Sequence, residues 1–375
     1  MNPNLSWWER EGLNRHADFG IVGGGITGLS AAYFLKTRVP TARVVVLEKG
    51  ARPEGATVRS AGFACFGSIS ELVSDVRSMG EAEAYTLAGE RFKGLSLLRE
   101  IHGDEALEFQ TCGGIEVFFT EDKENGYELL AQLETVNRNL KDISGIPGTV
   151  FREMNTLELS RLNFKQLELG IINGFEGALH PQKLWNSLLG KCLALGIEYR
   201  AGIEVHHIDS GILAGNDFSL PCGQILIANN AFAQRWFPDE IKPARAQVWM
   251  SEPLSHPFPP GTLHHHEGFN YFRGHAGRLL LGGGRHIHPK AETTFSTENT
   301  EEIEQYLIGD ILPRLFNGQP PKMALSWAGT MGIGNTKQPK YGEWKPGVWT
   351  AVRMGGMGIA LGTKAGQQGA LHMLG

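Results

Sequence analysis

The amino-acid sequence predicts an α/β protein in two parts: a βαβ layer assembled from separated segments, and a mixed α+β part built on an antiparallel sheet. Three observations lead to this fold class. A strand, glycine turn, helix and strand occupy residues 18–47, and a block rich in β-branched and aromatic residues spans 246–281. From residue 348 a strand, a glycine turn and a helix follow one another again. A length of 375 residues also suits two domains better than one core.

Composition and charge are those of an ordinary globular protein. Charged residues make up 20% of the chain and hydrophobic residues 41%, and the formal net charge is −5 with no block of like charge. This balance disfavours nucleic acid or an anionic membrane surface as the main partner. No run approaches the ~20 apolar residues of a membrane helix, and residues 1–15 lack the apolar stretch of a secretory signal. We therefore expect a cytoplasmic protein with no integral membrane segment.

The first elements form a βαβ unit. Residues 18–22 are an apolar run of strand length, residues 26–36 carry apolar side chains at helical spacing, and residues 44–47 form a second apolar strand. These elements lie within ~30 residues, which predicts two parallel strands joined by a right-handed crossover.

The later elements divide between the two parts. Helices are predicted at 69–79, 81–101, 122–140, 184–195 and 301–312, and strands at 115–119, 197–199, 205–208, 224–228 and 348–352. Because the last strand, turn and helix resemble the opening ones, the chain is expected to begin and end in the same α/β layer. The first domain is accordingly assigned residues 1–80, 149–240 and 322–375, and the second domain residues 81–148 and 241–321.

The turn at residues 23–28 reads GGGITG, which fits G-x-G-x-x-G between a strand and a helix. Gly23 would make the tight turn, Gly25 would let the backbone approach a pyrophosphate, and Gly28 would let helix and strand pack closely. Glu48 ends the second strand, where its carboxylate can accept hydrogen bonds from ribose hydroxyls and would repel a 2′-phosphate. The unit is therefore predicted to be a Rossmann-like dinucleotide site that disfavours an NADP-type ligand.

The βαβ unit alone does not separate NAD from FAD, and three other features favour FAD. A second loop of small residues, GATVRSAGF at 55–63, can wrap a pyrophosphate and the edge of a flavin. A late turn, MGGMG at 354–358, can aim a helix N-terminus at the flavin and stabilise negative charge near N1 and O2. No second complete G-x-G-x-x-G is present, whereas a flavoprotein reduced by nicotinamide usually needs a second nucleotide site.

Together with later motifs, these features resemble the D-amino-acid oxidase superfamily of FAD-dependent oxidoreductases, which includes glycine, sarcosine and gamma-glutamylputrescine oxidases. The resemblance covers nearly the whole chain. Its later marks are LHP at 179–181, GIEV at 202–205, YFR at 271–273, GRLLLGG at 277–283, WAG at 327–329 and GGMG at 355–358.

The resemblance implies positions for the cofactor. The backbone at Val205 would contact the adenine, and the final glycine turn would face the flavin pyrimidine ring. The full set of predicted FAD-binding residues is Gly23, Gly25, Ile26, Thr27, Gly28, Glu48, Lys49, Thr57, Arg59, Ser60, Ala61, Gly62, Val205, Ala228, Gly355, Gly356, Met357 and Gly358.

The resemblance also implies a reaction. Family members oxidise an amine C–N bond by hydride transfer to flavin N5, and water hydrolyses the resulting imine. An FAD-dependent amine or amino-acid oxidoreductase is thus expected, with a small-molecule amine as substrate and oxygen or an electron carrier as acceptor. Two alternatives stay open. A non-catalytic flavoprotein used for binding or assembly would not bleach when amines are added without oxygen, and an NAD-dependent dehydrogenase would not purify as a yellow protein.

One departure from the family pattern bears on the substrate. After Trp-Ala-Gly, glycine oxidase and its relatives place an arginine two residues on, which clamps the substrate carboxylate. This chain has Thr330 and Met331 there. An amine whose carboxylate is distant or absent is therefore favoured. In this stretch the chain resembles gamma-glutamylputrescine oxidase more closely.

The predicted strand 268–273 offers other substrate contacts. Its side chains alternate, so Phe269, Tyr271 and Arg273 share one face. Tyr271 and Arg273 are predicted to hold an anionic group of the substrate. The alternative is that Arg273 points to solvent or pairs with Glu267.

Metal and covalent chemistry are not expected. His264, His265 and His266 are adjacent, so at most two of them can share an ion in an extended segment. We interpret them as polar loop histidines, one of which can line the substrate cavity. Cys65 follows the second small-residue loop and is a candidate for a flavin thioether. In sarcosine oxidases, however, the linking cysteine lies in the late strand region, and residues 323–341 contain no cysteine, so non-covalent FAD is predicted.

Overall fold

The computed structural model describes residues 6–216 and 218–375. Its helices are α1 (Trp7–Asn14), α2 (Ile26–Arg38), α3 (Ile69–Met79), α4 (Glu81–His102), α5 (Asp104–Leu107), α6 (Lys123–Leu130), α7 (Leu133–Asp142), α8 (Thr156–Leu162), α9 (Pro181–Ala194), α10 (Glu301–Glu304) and α11 (Gly358–Leu374). Shorter turns of helix occupy Asn230–Arg235, Arg285–Ile287, Gln305–Ile311 and Leu312–Leu315. Within the described residues, no helix combines the length and hydrophobicity needed to cross a bilayer.

The strands are distributed along the whole chain. They are β1 (Ala17–Val22), β2 (Val44–Leu47), β3 (Phe63–Ala64), β4 (Gly114–Phe119), β5 (Phe151–Glu153), β6 (Leu167–Asn173), β7 (Gly177–Ala178), β8 (Glu198–Arg200), β9 (His207–Asp209), β10 (Ile212–Ala214), β11 (Ser219–Ile227), β12 (Lys242–Ser251), β13 (Thr262–His265), β14 (Asn270–His275), β15 (Arg278–Gly283), β16 (Met323–Ile333), β17 (Lys340–Lys345) and β18 (Val348–Val352).

The first sheet contains the predicted βαβ unit. Its order is β17-β18-β11-β1-β2-β8, with β9 and β10 attached to β11. The pairs within β18-β11-β1-β2-β8 are parallel, and β17 is antiparallel. All of β2 and all of β1 except Asp18 are buried, as expected for parallel strands covered by helices. The predicted unit is confirmed, with the same strand at 44–47 and a helix that begins at Ile26.

The second sheet is mixed but mostly antiparallel. Its order is β16-β12-β15-β14-β13-β4-β6-β5, and its parallel pair is β13 with β4. One face packs against the helical segment after residue 300, and the shared core includes Phe119, Phe272, Leu281, Ile303 and Leu307. This arrangement confirms the predicted fold class, in which an α/β layer is joined to a mixed part built on an antiparallel sheet.

Sheet membership bears on the domain ranges. The predicted first-domain range 149–240 contains β5 and β6, and the range 322–375 contains β16, yet these three strands belong to the second sheet. The division of the chain into domains therefore stays a prediction, and these strands are its weakest points.

The predicted helix over 122–140 is two helices, α6 and α7. At the junction the Gln132 N–H donates to the Leu129 carbonyl at 3.0 Å, a tighter turn than α-helix. The Gln132 side-chain Nε2 donates a hydrogen bond to the Glu128 carbonyl, also at 3.0 Å. The side chain thus replaces the backbone bond that a continuous helix would make.

Helices α2 and α11, from opposite ends of the chain, pack closely against each other. A Cβ at Gly362 would lie 2.6 Å from Ile26 Cγ2, and a Cβ at Gly366 would lie 2.5 Å from the Thr27 carbonyl oxygen. Only glycine permits this approach, which brings the start of α11 beside the glycine turn of the βαβ unit.

Candidate active site

The glycine turn between β1 and α2 has the geometry that its sequence predicts. Gly23 has a φ of 109°, and its N–H donates to the Leu47 carbonyl at 2.8 Å, so the chain bends where β1 ends. A Cβ at Gly28 would lie 1.9 Å from the Gly23 carbonyl oxygen. Gly25 precedes the first residue of α2 and lines a cavity, so the helix N-terminus opens onto that cavity.

Glu48 is buried at the end of β2 and is fixed by backbone hydrogen bonds. Its Oε2 accepts from Gly24 N at 2.7 Å and its Oε1 from Gly50 N at 3.2 Å. The carboxylate lines the same cavity. Burial and the Glu48 charge raise the pKa of the neighbouring Tyr199 hydroxyl, which stays protonated.

A cavity of about 650 Å³ runs along the carboxyl ends of the parallel strands and continues to the second sheet. Most of the predicted site residues line it, and three do not: Gly28 and Gly62 of the FAD-binding set, and Arg273 of the substrate set. Gly28 and Gly62 pack against backbone, the latter with its Cβ position 2.2 Å from the Leu179 carbonyl oxygen. Arg273 also lies outside the lining. The lining includes Gly23, Gly25, Ile26, Thr27, Glu48, Lys49, Thr57, Arg59, Ser60, Ala61, Val205, Ala228, Tyr271, Gly355, Gly356, Met357 and Gly358.

Three buried polar atoms of the lining have no hydrogen-bond partner within the described residues. They are Ser60 Oγ, Asn229 Oδ1 and Thr330 Oγ1. Buried hydroxyl and amide groups normally have partners, because an unsatisfied one costs about 1–3 kcal/mol. A ligand rich in hydroxyl, phosphate and ring-nitrogen groups, such as FAD, fits a cavity that offers such atoms.

The second small-residue loop is clamped by β16. Arg59 Nη1 donates to the Ala328 carbonyl at 2.9 Å, and the Trp327 indole donates to the Arg59 carbonyl at 2.8 Å. A Cβ at Gly329 would lie 3.1 Å from Arg59 Cβ. The Trp-Ala-Gly motif therefore supports the loop that lines the middle of the cavity.

The late glycine turn brings a second helix N-terminus to the cavity. Gly355 and Gly356 have φ values of 58° and 87°, and the Gly355 N–H donates to the Gly332 carbonyl at 3.0 Å. Asn230 Oδ1 accepts from the backbone N–H groups of Arg353 and Met354 and fixes the entry to the turn. Helix α11 has no side-chain cap and no acidic residue in its first turn. Its positive end is thus available to a ligand with negative charge.

An aromatic end of the cavity lies at the second sheet. The Phe63 ring meets the Tyr271 ring edge-on at 5.5 Å and the His264 ring edge-on at 5.3 Å. His264 Nε2 lies 3.2 Å from Glu176 Oε2. Burial alone would lower the pKa of His264, but the hydrogen bond and charge of Glu176 raise it overall.

The interpretation of the histidines as loop residues is wrong for two of the three. His264 and His265 are buried within β13, and His265 Nε2 lies 3.2 Å from Asp122 Oδ2. His266 is exposed after the strand and stacks on His286 at 4.8 Å. The prediction that one histidine lines the cavity agrees with the position of His264.

Cys65 sits beside the His264–Glu176 pair. The sulfur, imidazole and carboxylate atoms of the three residues lie within 4.8 Å of one another, a spacing that suits a metal ion. Glu176 is already engaged, because its Oε1 accepts from Phe66 N at 3.1 Å and its Oε2 meets His264. Burial, then Glu176 and Glu71, raise the pKa of the Cys65 thiol well above its usual range, which disfavours the nucleophilic thiolate form.

A charged network that the sequence did not indicate forms another wall. Lys337 Nζ lies 2.5 Å from Asp75 Oδ1 and 3.3 Å from Glu71 Oε1. Arg91, which is almost fully buried, reaches the same Glu71 oxygen at 3.3 Å. Burial and the Glu71 charge raise the pKa of Asp75 despite these cations. The network ties the loop after β16 to α3.

The structure corrects the role predicted for Arg273. The residue is 4% exposed, its Nη2 donates to the Leu179 carbonyl at 3.1 Å, and its Nε has no partner among the described residues. It neither lines the cavity nor reaches solvent, and no ion pair with Glu267 forms. Burial lowers its pKa to about 10. Arg285, which the sequence reading missed, lines the cavity instead.

Comparisons with known proteins agree with this geometry. A family model described as FAD dependent oxidoreductase matches residues 18–370. The chain is 26% identical to a "Probable oxidoreductase OrdL" of Rhizobium meliloti (strain 1021), over 98% of this chain and 87% of that protein. It is similar in structure to glycine oxidase from Geobacillus kaustophilus, with a TM-score of 0.76, 18% identity, and coverage of 96% of this chain and 95% of the other. For iminodiacetate oxidase from Chelativorans sp. BNC1 the TM-score is 0.74 and the identity 18%, with 95% of each chain covered. As the sequence motifs predicted, the chain belongs to the FAD dependent oxidoreductase family.

Proposed function

We propose that this protein oxidises the C–N bond of an amine or amino acid with FAD bound along the cavity. The observation that carries the proposal is the continuity of the cavity: it joins the glycine turn of a dinucleotide fold to an enclosed aromatic end at Phe63, His264 and Tyr271. The names of the similar proteins, glycine oxidase and iminodiacetate oxidase among them, support an amine or amino-acid substrate.

The cofactor would be held by the residues that the sequence predicted. Glu48 would accept hydrogen bonds from the hydroxyls of the adenosine ribose, and the N-terminus of α2 would face the pyrophosphate. Val205 would lie at the adenine. The flavin ring would lie between the loop that carries Arg59 and the N-terminus of α11, whose positive end would stabilise negative charge on the ring.

The aromatic end would hold the substrate. Bound FAD supplies a hydride acceptor for the C–H bond next to the amine nitrogen. Phe63 and Tyr271 would exclude water and orient the amine between them. His264, held by Glu176 through Nε2, turns its Nδ1 toward Gly268 of the cavity lining, where it can hold or move a proton.

The domain ranges enter this proposal in amended form. We propose that residues 6–80 and 177–240, together with residues from 340 onward, form the FAD-binding part. The strands β4–β6 and β12–β16 would belong to the substrate part, because they form one sheet.

An anaerobic amine screen tests the proposal. The purified yellow protein is mixed without oxygen with primary amines, secondary amines and amino acids of both hands, and the flavin absorbance is followed. Bleaching by one class, and recovery on admission of air or a dye acceptor, is the expected result. Dithionite serves as the control for a reducible flavin. Protein that dithionite bleaches and no amine does would instead be a non-catalytic flavoprotein.

A further inference from the structure

The cationic side chains that line the cavity differ in whether they already have partners. Lys49 and Arg235 pair with Glu204, at 3.7 and 3.4 Å. Lys337 is held by Glu71 and Asp75, and Arg59 donates to a backbone carbonyl. The guanidinium of Arg285 makes neither a hydrogen bond nor an ion pair with any residue in 6–216 or 218–375.

The surroundings of Arg285 hold the charge in a partly desolvated position. The residue follows Gly283 and Gly284, whose φ values of 121° and 74° turn the chain out of β15. The guanidinium carbon lies 5.8 Å from the centre of the Phe269 ring. Burial lowers the pKa of Arg285, although Tyr271 and Glu292 oppose that effect. Glu292 itself is committed to Arg245 through two hydrogen bonds, at 2.7 and 2.9 Å.

Tyr271 provides a second free donor in the lining of the same cavity. It faces Gly282 across β14 and β15, and its ring covers that glycine. Its hydroxyl makes no hydrogen bond within the described part of the chain, and burial raises its pKa, so it stays protonated. A guanidinium fork and a phenol that both line the cavity are matched to a carboxylate.

The second sheet separates Arg285 from the late glycine turn, beside which the flavin ring is proposed to lie. On β16 the cavity wall is apolar at Met331, whose sulfur lies 3.3 Å from the Cβ position of Gly356 in the glycine turn. Gln247 of β12 faces Ala328 on one side and Gly283 on the other, so β15 lies two strands from β16. Two strand spacings amount to about 10 Å. The backbone beyond the end of β15, where Arg285 lies, is thus two strands away from the stretch of β16 beside the late glycine turn.

We propose that Arg285, assisted by Tyr271, binds a carboxylate that an amine substrate carries several bonds away from the C–N bond to be oxidised. The inference rests on the proposed function, since it names the substrate class of the same site. It favours ω-amino acids and similar amines over α-amino acids.

Two measurements test this assignment. The first, which needs no turnover, titrates the oxidised flavoprotein with hexanoate and with hexan-1-ol and reads the perturbation of the flavin spectrum. The second follows anaerobic flavin reduction by 6-aminohexanoate, hexylamine and glycine. Both are done with the unchanged protein, Arg285→Met, Arg285→Lys and the matched control Lys290→Met, which removes an exposed charge just after the same turn.

The expected result is that hexanoate binds and Arg285→Met weakens it about tenfold to a hundredfold, the value of one charged hydrogen-bonded pair. Arg285→Lys keeps the charge but loses the forked pair of donors, so its hexanoate affinity should lie between those of the unchanged protein and Arg285→Met. 6-Aminohexanoate should reduce the flavin faster than either hexylamine or glycine. In Arg285→Met, 6-aminohexanoate should reduce the flavin no faster than hexylamine does. Lys290→Met should behave as the unchanged protein.

Other outcomes are decisive as well. Equal hexanoate affinity in Arg285→Met and the unchanged protein, or glycine as the fastest substrate, would overturn the assignment while leaving amine oxidation standing. If hexanoate binding depends on Arg285 but none of the amines reduces the flavin, the carboxylate subsite holds and the proposed oxidation of amines fails.

Discussion

Replacement of Glu48 separates its structural role from its proposed contact with the cofactor. Glu48 is 8% exposed, and its carboxylate accepts two backbone hydrogen bonds, from Gly24 N at 2.7 Å and Gly50 N at 3.2 Å. Glu48→Ala leaves both donors without a partner, at about 1–3 kcal/mol each. The free energy of unfolding of the flavin-free protein should therefore fall by about 2–6 kcal/mol.

The same variant should also bind FAD more weakly, because a charged acceptor to the ribose is lost. Loss of a hydrogen bond to a charged acceptor costs about 1.5–3 kcal/mol of binding free energy, which corresponds to roughly a tenfold to hundredfold rise in the Kd for FAD. Glu48→Gln keeps one acceptor oxygen and should be milder in both respects, and Glu105→Ala, which changes an exposed acid on α5, should alter neither. Urea unfolding of the flavin-free protein gives the first quantity, and FAD titration by fluorescence quenching gives the second. An unaltered FAD Kd in Glu48→Ala would remove this residue from the ribose site.

Three further predictions follow from the site. Gly28→Ala places a Cβ 1.9 Å from a backbone oxygen and should abolish FAD retention. The control Gly190→Ala has open space around the new Cβ on α9 and should raise the free energy of unfolding by about 0.5–1 kcal/mol. Equal flavin content in the two variants would contradict the packing argument. Acid precipitation should release the flavin into the supernatant, and a yellow pellet would implicate Cys65. Burial alone would lower the pKa of His264, but the hydrogen bond and charge of Glu176 outweigh burial and raise it overall. Their pairing therefore stabilises the fold fully below the ordinary histidine pKa, and this contribution is lost as pH rises through the raised pKa. Glu176→Gln should thus cost more unfolding free energy at about pH 5.5 than at about pH 9, and a cost independent of pH would argue against the pairing.

The parts of the fold that depend on short stretches of chain were predictable from the sequence. The strand, turn and helix around Gly23 are encoded within residues 17–38, so their bounds were predicted closely. The parallel pairing of β13 with β4 joins segments about 150 residues apart. No local pattern encodes such a pairing. Because β13 also pairs with β14 as a hairpin, the contact with β4 places His264 inside the sheet and not at its edge.

The substrate residues show the same limit at finer scale. Strand alternation correctly put Tyr271 and Arg273 on one face, but it could not show that the ribbon of β3 and β7 covers one of them. Arg273 is buried against Leu179 beside that ribbon, whereas Tyr271 reaches the cavity. Arg285 lies beyond the end of β15, and the signal that could have found it is the glycine run at 282–284 directly before it.

The packing of α11 on α2 ties capture of the cofactor to the order of synthesis. Gly362 and Gly366 can pack α11 against α2 only when α11 has left the ribosome, about 330 residues after Gly28 was made. At ~5–20 residues per second this interval is roughly 20–60 s. During that time the glycine turn and its helix are exposed without their partner helix. A cofactor site that uses the N-termini of both helices therefore forms only after α11 has been made and has packed on α2.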